Sequence, residues 1–456
     1  MAKPAVSPQP SGVAGGSLAV ADGFARRRLQ VRHWPHLAAP PMLRLERTAE
    51  SYPEYQERPS PRDRGEHVGL DELISAAEAV NLRGRGGAGF PFATKLKAVA
   101  EAAAAAGRVY VVANGEEGEP GSAKDRYLLA TRPHLVLDGL LLAARALNAE
   151  RAVVYLSEPV LADVVAAALA QHSPGTAVEI FLAPGGYVSG EETAVVRAIS
   201  GGPAKPTSKP PRPYQRGIGD QPTLVSNVET FAHLARAVRL GPARIRDDGL
   251  PSAPGTTVIT VTPDAGNAVL LEVPFGVTIR EILQHAGYPA PRALLTGGYF
   301  GGFLPRRHWD LPIGHTIMRQ AGVTLGCAAL LPVMRSCEVR VAADLLAYFD
   351  RENAHQCGAC FNGTKAMAAS LARLSEDQAR ENDVPDLVRW STSLAGRGAC
   401  GTLDGAAAVV RALVQESAAL VERHAQRACP ECASDPHDLT STRFRLSWRD
   451  LFQEYR

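Results

Sequence analysis

Apolar positions first settle into a helical period at Leu70, Leu73, Ile74, Ala77 and Val80. From there to about Leu240 two periods alternate. Val109–Ala113, Ala152–Leu156 and Val178–Leu182 are short apolar runs of strand length, while Leu135–Leu147, just after Pro133, and Leu161–Ala170 predict helices. This order predicts an α/β unit on a parallel sheet with crossover helices. Residues 201–222 hold six prolines among Lys and Arg, which predicts an extended, semi-rigid segment, more a clamp over a site than a helix. A helix follows over Val228–Val238.

Beyond Thr256 the pattern changes. Thr257–Val261 and Val269–Val273 predict a hairpin, followed by a helix over Ile279–Ala286 and a strand at Ala293–Leu295. This ββαβ order predicts a small α+β module. The remainder, to about Gln426, predicts helices at Ala342–Tyr348, Ala366–Leu374 and Ala406–Ala425. Residues 1–67 predict a disordered or extended segment, since Pro, Arg, Ser and Glu dominate Pro53–Glu66. The domains expected are therefore 1–67, 68–245, 252–330, 335–426 and a tail, 427–456.

Composition narrows the class. The chain has 456 residues, 45% hydrophobic and 21% charged, which are globular values. A net charge of +2 argues against bulk binding to nucleic acid or a membrane surface. The longest apolar stretch, Gly322–Val333, is too short to span a membrane, and Met1–Ser17 lacks the apolar core of a signal peptide. A cytoplasmic protein is expected, peripheral to a membrane only through a partner. All seven cysteines lie from Cys327 onward, and such clustering favours a metal or redox site over a disulfide framework.

The candidate chemistry lies in loops. Arg83-Gly84-Arg85-Gly86-Gly87-Ala88-Gly89-Phe90-Pro91 brings backbone N–H groups where an anion can approach them. Gly84, Gly86 and Gly89 match G-x-G-x-x-G, but they follow a helix-like pattern and not the strand that a dinucleotide fingerprint requires. Asn114-Gly115-Glu116-Glu117-Gly118-Glu119-Pro120-Gly121 follows the first strand, where parallel sheets bind ligands. Its acidity suits ring N–H groups, ribose hydroxyls or a cation. Lys124-Asp125-Arg126, next in line, is read as an exposed charged turn. Ser189/Glu192 and Ser226/Glu229 have capping-box spacing. Taken together, strand-end loops rich in Gly, Asn and Glu predict one shared pocket. Cys357-Gly358-Ala359-Cys360, with Cys400, can bind a cluster or zinc, although four ligands are the rule. Cys429-Pro430-Glu431-Cys432 either completes such a site or is a labile tail pair. Cys327 and Cys337 are read as small core residues.

In this order, these motifs resemble the NADH-binding flavoprotein subunit of respiratory complex I and of related NAD-linked hydrogenases and formate dehydrogenases. The resemblance spans roughly residues 68–420 and rests on Leu82–Pro91, Asn114–Arg126, Gly185–Thr193 and Gly219–Thr230. It implies an FMN-binding α/β domain, a ubiquitin-like β-grasp module of SLBB type and a helical bundle holding a 4Fe–4S cluster. By match, Gly84, Arg85, Gly86, Gly87, Lys95, Asn114, Glu116, Tyr187, Gly190, Glu192, Ser226, Asn227 and Thr230 would hold FMN. Phe90, Glu119 and Glu191 would face the nicotinamide, with Glu191 and Glu119 in the catalytic positions, and Cys357, Cys360 and Cys400 would ligate the cluster. NAD(P)H would be the substrate, and an iron–sulfur or ferredoxin-like protein the partner, within a membrane redox complex if one is formed.

Three departures mark this chain. Phe361-Asn362-Gly363-Thr364 follows Cys360, so the third cysteine of the family's C-x-x-C-x-x-C run is missing. Ala98 and Arg212 stand where the family has two aromatic residues that clamp adenine, and each ring would contribute about 1 kcal/mol. The resemblance thus implies an NAD(P)H dehydrogenase-type flavoprotein. A ferredoxin-linked subunit with little NADH activity and a non-catalytic assembly subunit are the alternatives. The flavin loops look intact, which ranks the assembly subunit last.

Overall fold

The structure is a computed structural model that describes residues 27–57, 68–172, 175–435 and 443–452. Its strands are β1 (Leu29–His33), β2 (Tyr110–Asn114), β3 (Arg151–Leu156), β4 (Ala177–Leu182), β5 (Thr223–Asn227), β6 (Gly249–Leu250), β7 (Ala253–Pro254), β8 (Thr256–Val261), β9 (Ala268–Pro274), β10 (Ala293–Thr296) and β11 (Ala329–Val333). The protein is a mixed α/β fold.

The first sheet has the order β4-β3-β2-β5 and is parallel throughout. β2 is central and apolar on both faces, as a strand covered by helices on each side must be. The chain leaves β2 toward β3 and β4, then returns to β5 on the other side, so the gap between β2 and β5 is the topological switch point where such sheets bind ligands. β5 escaped the sequence pattern. Its Thr-Leu-Val-Ser-Asn follows the proline segment and ends in residues that resemble helix caps.

The helices Pro133–Ala146 and Val228–Leu240 cross closely beside this sheet. A Cβ at Gly139 would stand 1.9 Å from the carbonyl oxygen of Phe231, so only glycine allows the approach.

The second sheet has the order β1-β9-β8-β11-β10. The predicted hairpin is the antiparallel pair β8–β9, and the helix Ile279–Ala286 opens with a capping box between Thr278 and Glu281. Helices Glu338–Glu352, Gly358–Ser375, Asp383–Ser393, Thr402–Glu416 and Ala418–Gln426 pack around Leu346, Phe349, Leu371 and Val410. The single helix expected over Ala406–Ala425 is thus two, parted at Ser417.

The N-terminal segment corrects the sequence reading. Where described, it is folded: β1 pairs in parallel with β9, and Glu272 accepts hydrogen bonds from the backbone N–H groups of Met42 and Leu43. Tyr52–Glu57 forms a helix, and the Tyr55 hydroxyl donates to Asp138 at 2.6 Å. Residues 1–26 and 58–67 lie outside the described residues. The tail is likewise ordered in short helices at Pro430–Ser434 and Trp448–Leu451, with residues 436–442 and 453–456 outside the description. Among the described residues no helix is long and apolar enough to cross a membrane.

Candidate functional site: a cavity at the sheet switch point

The strand-end loops converge on one cavity of about 410 Å³ at the carboxyl ends of β2 and β5. Gly86, Gly87, Asn114, Glu116, Glu119, Tyr187, Gly190, Glu191 and Asn227 line it, so nine of the residues singled out from the sequence meet in one place. The opposite wall comes from Gly297, Phe300, Thr324, Gly326 and Cys327 of the second sheet's loops, and from Cys400, Gly401 and Thr402. Apart from Cys400, this wall was not foreseen. Its sequence signal is the Gly297-Gly298-Tyr299-Phe300-Gly301-Gly302 run just after β10.

Asn114 ends β2, and its side-chain amide donates to the Gly190 carbonyl at 2.7 Å, tying two loops together. A Cβ at Gly190 would lie 2.9 Å from the Glu116 carbonyl oxygen, so the loops close only on glycine. Glu116 is buried. Its Oε1 accepts from the Ser189 hydroxyl at 3.1 Å, while its Oε2 has no well-formed hydrogen bond among the described residues, the Ser157 hydroxyl being a polar neighbour of the carboxyl. Burial raises its carboxyl above the usual range.

Glu119 is buried beside Tyr187, accepting from the Tyr299 backbone N–H at 3.1 Å. Burial pushes its carboxyl up to about 8, against the opposing pull of the Tyr299 and Gly121 N–H groups. It is therefore protonated at neutral pH.

A buried charge network forms part of the cavity wall, which Lys124, Asp125 and Asn227 line. Lys124 Nζ sits 2.7 Å from Asp125 Oδ1, 3.1 Å from Glu229 Oε2 and 3.2 Å from Asn227 Oδ1. Burial alone would discharge the lysine, but the facing carboxylates raise its pKa and keep it charged. Glu229 is held below its usual range, the Lys124 ammonium outweighing burial. Asn227 is held on both sides, donating to Asp125 at 2.7 Å. Arg126 pairs with buried Glu117 at 3.0 Å. The exposed turn expected at Lys124–Arg126 is thus wrong: all three are buried, because Lys124 is compensated by Asp125 and the distant Glu229, and Arg126 by Glu117.

Both capping boxes are also corrected. The helix Glu192–Ile199 is capped by Glu191, whose Oε2 accepts from Thr193 N at 2.8 Å, while Ser189 turns to Glu116. The helix Val228–Leu240 is capped by Asn227; Ser226 stays in β5, and Glu229 reaches the Val258 backbone N–H at 3.0 Å. In each case the helix starts later than the spacing implied. Glu191 also pairs with Lys209 at 2.6 Å, which brings a cation from the proline segment to the cavity wall. Glu192 is held below its usual range because Lys95 and Lys209 outweigh burial.

Several matched residues stand off the cavity lining. Arg85 turns into the fold: its backbone N–H donates to Thr230 Oγ1 at 2.9 Å, and its guanidinium meets His315 and the Thr256 carbonyl. Lys95 donates to the Val225 carbonyl at 2.7 Å. Gly84 donates its N–H to the carbonyl of Phe90, and Phe90 is 50% exposed. Cys327, read as core, lines the cavity instead.

Cys357 and Cys360 open the helix Gly358–Ser375, and Cys357 Sγ accepts from Ala399 N at 3.4 Å, beside Cys400. Burial and the neighbouring Cys400 and Cys357 thiols push Cys360 up to about 12. Cys429 and Cys432 do not join this group. They gather with Cys337 and His424.

Residues 77–236 match the Nuo51 FMN-binding domain, and residues 340–424 match the NADH-ubiquinone oxidoreductase-F iron-sulfur binding region. An NADH-quinone oxidoreductase subunit of Rhizobium meliloti is 31% identical over 382 residues, covering 79% of this chain and 90% of that protein. The corresponding NADH-quinone oxidoreductase subunit of Mycobacterium tuberculosis is 31% identical, covering 81% and 87%. Crystal structures of NAD+-reducing NiFe hydrogenase, in the H2-reduced and air-oxidized states, both superpose with a TM-score of 0.72, at 30% and 28% identity. This chain is covered over 79% and 84%, and spans 63% and 67% of the hydrogenase chains. The chain belongs to the family of NADH-quinone oxidoreductase subunits that carry the Nuo51 FMN-binding domain.

Proposed function

We propose that the cavity holds FMN and that the protein is the NAD(P)H-oxidising flavoprotein subunit of a larger redox assembly. The observation that carries this reading is the shared wall. Cys400, from the matched cluster set, lines the same cavity as Glu116 and Glu119. A redox group in the cavity would stand against the first thiol of its electron exit.

The residues present fit a flavin. Glu116 Oε2 is a buried acceptor with no well-formed hydrogen bond among the described residues, suited to a ribityl hydroxyl or a ring N–H. Gly86 and Gly87 offer backbone to a phosphate, and Asn114 and Gly190 close the loops around it. FMN, when bound, would accept a hydride and release electrons singly. Lys95, Glu192, Ser226 and Thr230 would act from beneath, by fixing these loops. Glu119 would hold a proton at its carboxyl near the cavity, and Glu191 would act through Lys209, placing that ammonium for a nucleotide phosphate. The proline segment then supports the clamp expected from sequence. Cys357, Cys360 and Cys400 supply three of the four ligands that a 4Fe–4S cluster takes, so the fit there is incomplete. In this reading residues 68–245 form the FMN domain, 252–330 a β-grasp module of SLBB type and 335–426 the cluster-type helical domain. Its partner is an iron–sulfur or ferredoxin-like protein, which would make any link to a membrane.

One observation favours the ferredoxin-linked alternative: Arg212 points to Glu192 at 3.8 Å and offers no aromatic face to adenine. Anaerobic purification, with visible spectrum, iron content and bleaching by NADH or NADPH, decides between them. Bleaching of a flavin spectrum supports NAD(P)H oxidation; flavin that does not bleach supports the alternative. A colourless protein that cannot be reconstituted with FMN sinks both.

A further inference from the structure

Away from the cavity, Cys337, His424, Cys429 and Cys432 bring their ligand atoms within 4.8 Å of one another. Cys337, Cys432 and His424 are almost fully buried, Cys429 half-buried, and all three thiols are free. His424 Nε2 lies 3.4 Å from both Cys337 Sγ and Cys432 Sγ. Its Nδ1 lies 2.8 Å from the Leu420 carbonyl, which can only accept. Nδ1 therefore carries a proton, and Nε2 is the nitrogen turned to the sulfurs, the orientation a metal-bound imidazole takes.

We infer that these four residues bind one structural zinc ion in a closed tetrahedral site that pins the C-terminal segment onto the helical module. Zinc–sulfur bonds of about 2.3 Å place tetrahedral ligands about 3.8 Å apart, within the observed spread. A cubane, each iron taking its own cysteine, would hold the sulfurs farther apart. Four protein ligands leave no open position, so the ion is structural.

A second observation is independent of the ligands. Arg340 is buried, and its Nε and Nη1 have no hydrogen-bond partner among the described residues. Its Nη2 donates to the Cys432 carbonyl at 3.2 Å, so the guanidinium lies against the site. Zn²⁺ with three thiolates and a neutral imidazole carries a net charge of −1, a counter-charge for this arginine. The ligands come from the start of Glu338–Glu352 (Cys337), from Ala418–Gln426 (His424) and from the tail (Cys429, Cys432). Beyond them Arg443 pairs with Asp344, and Leu446 N donates to the Pro120 carbonyl at 3.0 Å. The anchored tail thus reaches the back of the loop that carries Glu119.

Elemental analysis of the full-length protein, purified without chelator, tests this. One zinc per chain is expected, lost in Cys432→Ser and His424→Ala while flavin and iron contents persist. Absence of zinc from the parent protein, or its full retention in Cys432→Ser, overturns the assignment. If the variants do not fold, cobalt substitution of the parent protein reads the ligands directly. Intense tetrahedral d–d bands with sulfur-to-cobalt charge transfer are expected; weak octahedral bands without charge transfer overturn it.

Discussion

The carboxyl group of Glu119 packs against Gly298, where a Cβ would stand 2.2 Å from the carboxyl carbon. An acid from the first sheet's loops is thus seated in a groove that a glycine of the turn after β10 leaves open. That seat excludes water, and the exclusion raises the acid's pKa.

Stability should therefore depend on pH through Glu119. Its pKa rises on folding from 4.5 to about 8. Between those values the folded protein keeps a proton that the unfolded chain has released, so stability falls as pH rises through that window. Glu119→Gln keeps an acceptor for Tyr299 N and cannot ionise. The flavin-free variant should lose this slope and exceed the parent at pH 8 by a few kcal/mol at most, each pKa unit being worth about 1.4 kcal/mol. Denaturant melts between pH 5 and 8 measure it, and identical slopes in the two proteins would count against a buried neutral acid.

Glu116→Ala removes the buried acceptor from the cavity. Losing a hydrogen bond to a charged group costs about 1.5–3 kcal/mol, so FMN affinity should drop about 10- to 100-fold. Asn114→Ala, which unties the loop from Gly190, should lower flavin occupancy in the same direction. Fluorescence titration of deflavinated protein reads both. Unchanged affinity would remove Glu116 from the flavin site.

Gly139→Ala sets two effects against each other. Alanine favours a helix by about 1 kcal/mol over glycine. Its methyl group, however, would collide with the Phe231 carbonyl, and overpacking at such a crossing costs about 3 kcal/mol. The clash should win, lowering the thermal midpoint. A raised midpoint would mean the two helices can separate freely.

Ala98→Phe combined with Arg212→Phe should restore an aromatic clamp. With each ring contributing about 1 kcal/mol, KM for NADH should fall about tenfold or more while kcat changes little. Steady-state kinetics of parent and double variant test this; an unchanged KM would place adenine elsewhere.

Much of this was legible in the sequence where chemistry and local pattern coincide. The parallel sheet followed from Val109–Ala113, Ala152–Leu156 and Val178–Leu182. The shared pocket followed from Asn114, Glu116 and Gly190 standing at strand ends. What stayed hidden depends on partners far along the chain. Lys124 and Asp125 look exposed until Glu229 is seen to share the Lys124 charge and Asn227 to hydrogen-bond both. Cys337 looks like core until His424 and Cys432 are brought beside it. Both capping boxes failed because a residue one or two places after each Ser, Asn227 and Glu191, made the cap.

β1 also bears on how the protein is made. Arg28, at its edge, donates its backbone N–H to the Asn267 side chain, 239 residues away. Chains leave the ribosome N-terminus first, and domains tend to fold as they emerge. β1 must therefore wait, without its ladder, while the whole first sheet is synthesised. An unpaired strand of this kind is open to pairing with another chain. Translation speed through residues 110–274, and chaperones that reach the nascent N-terminus, should then govern the yield of correctly folded protein.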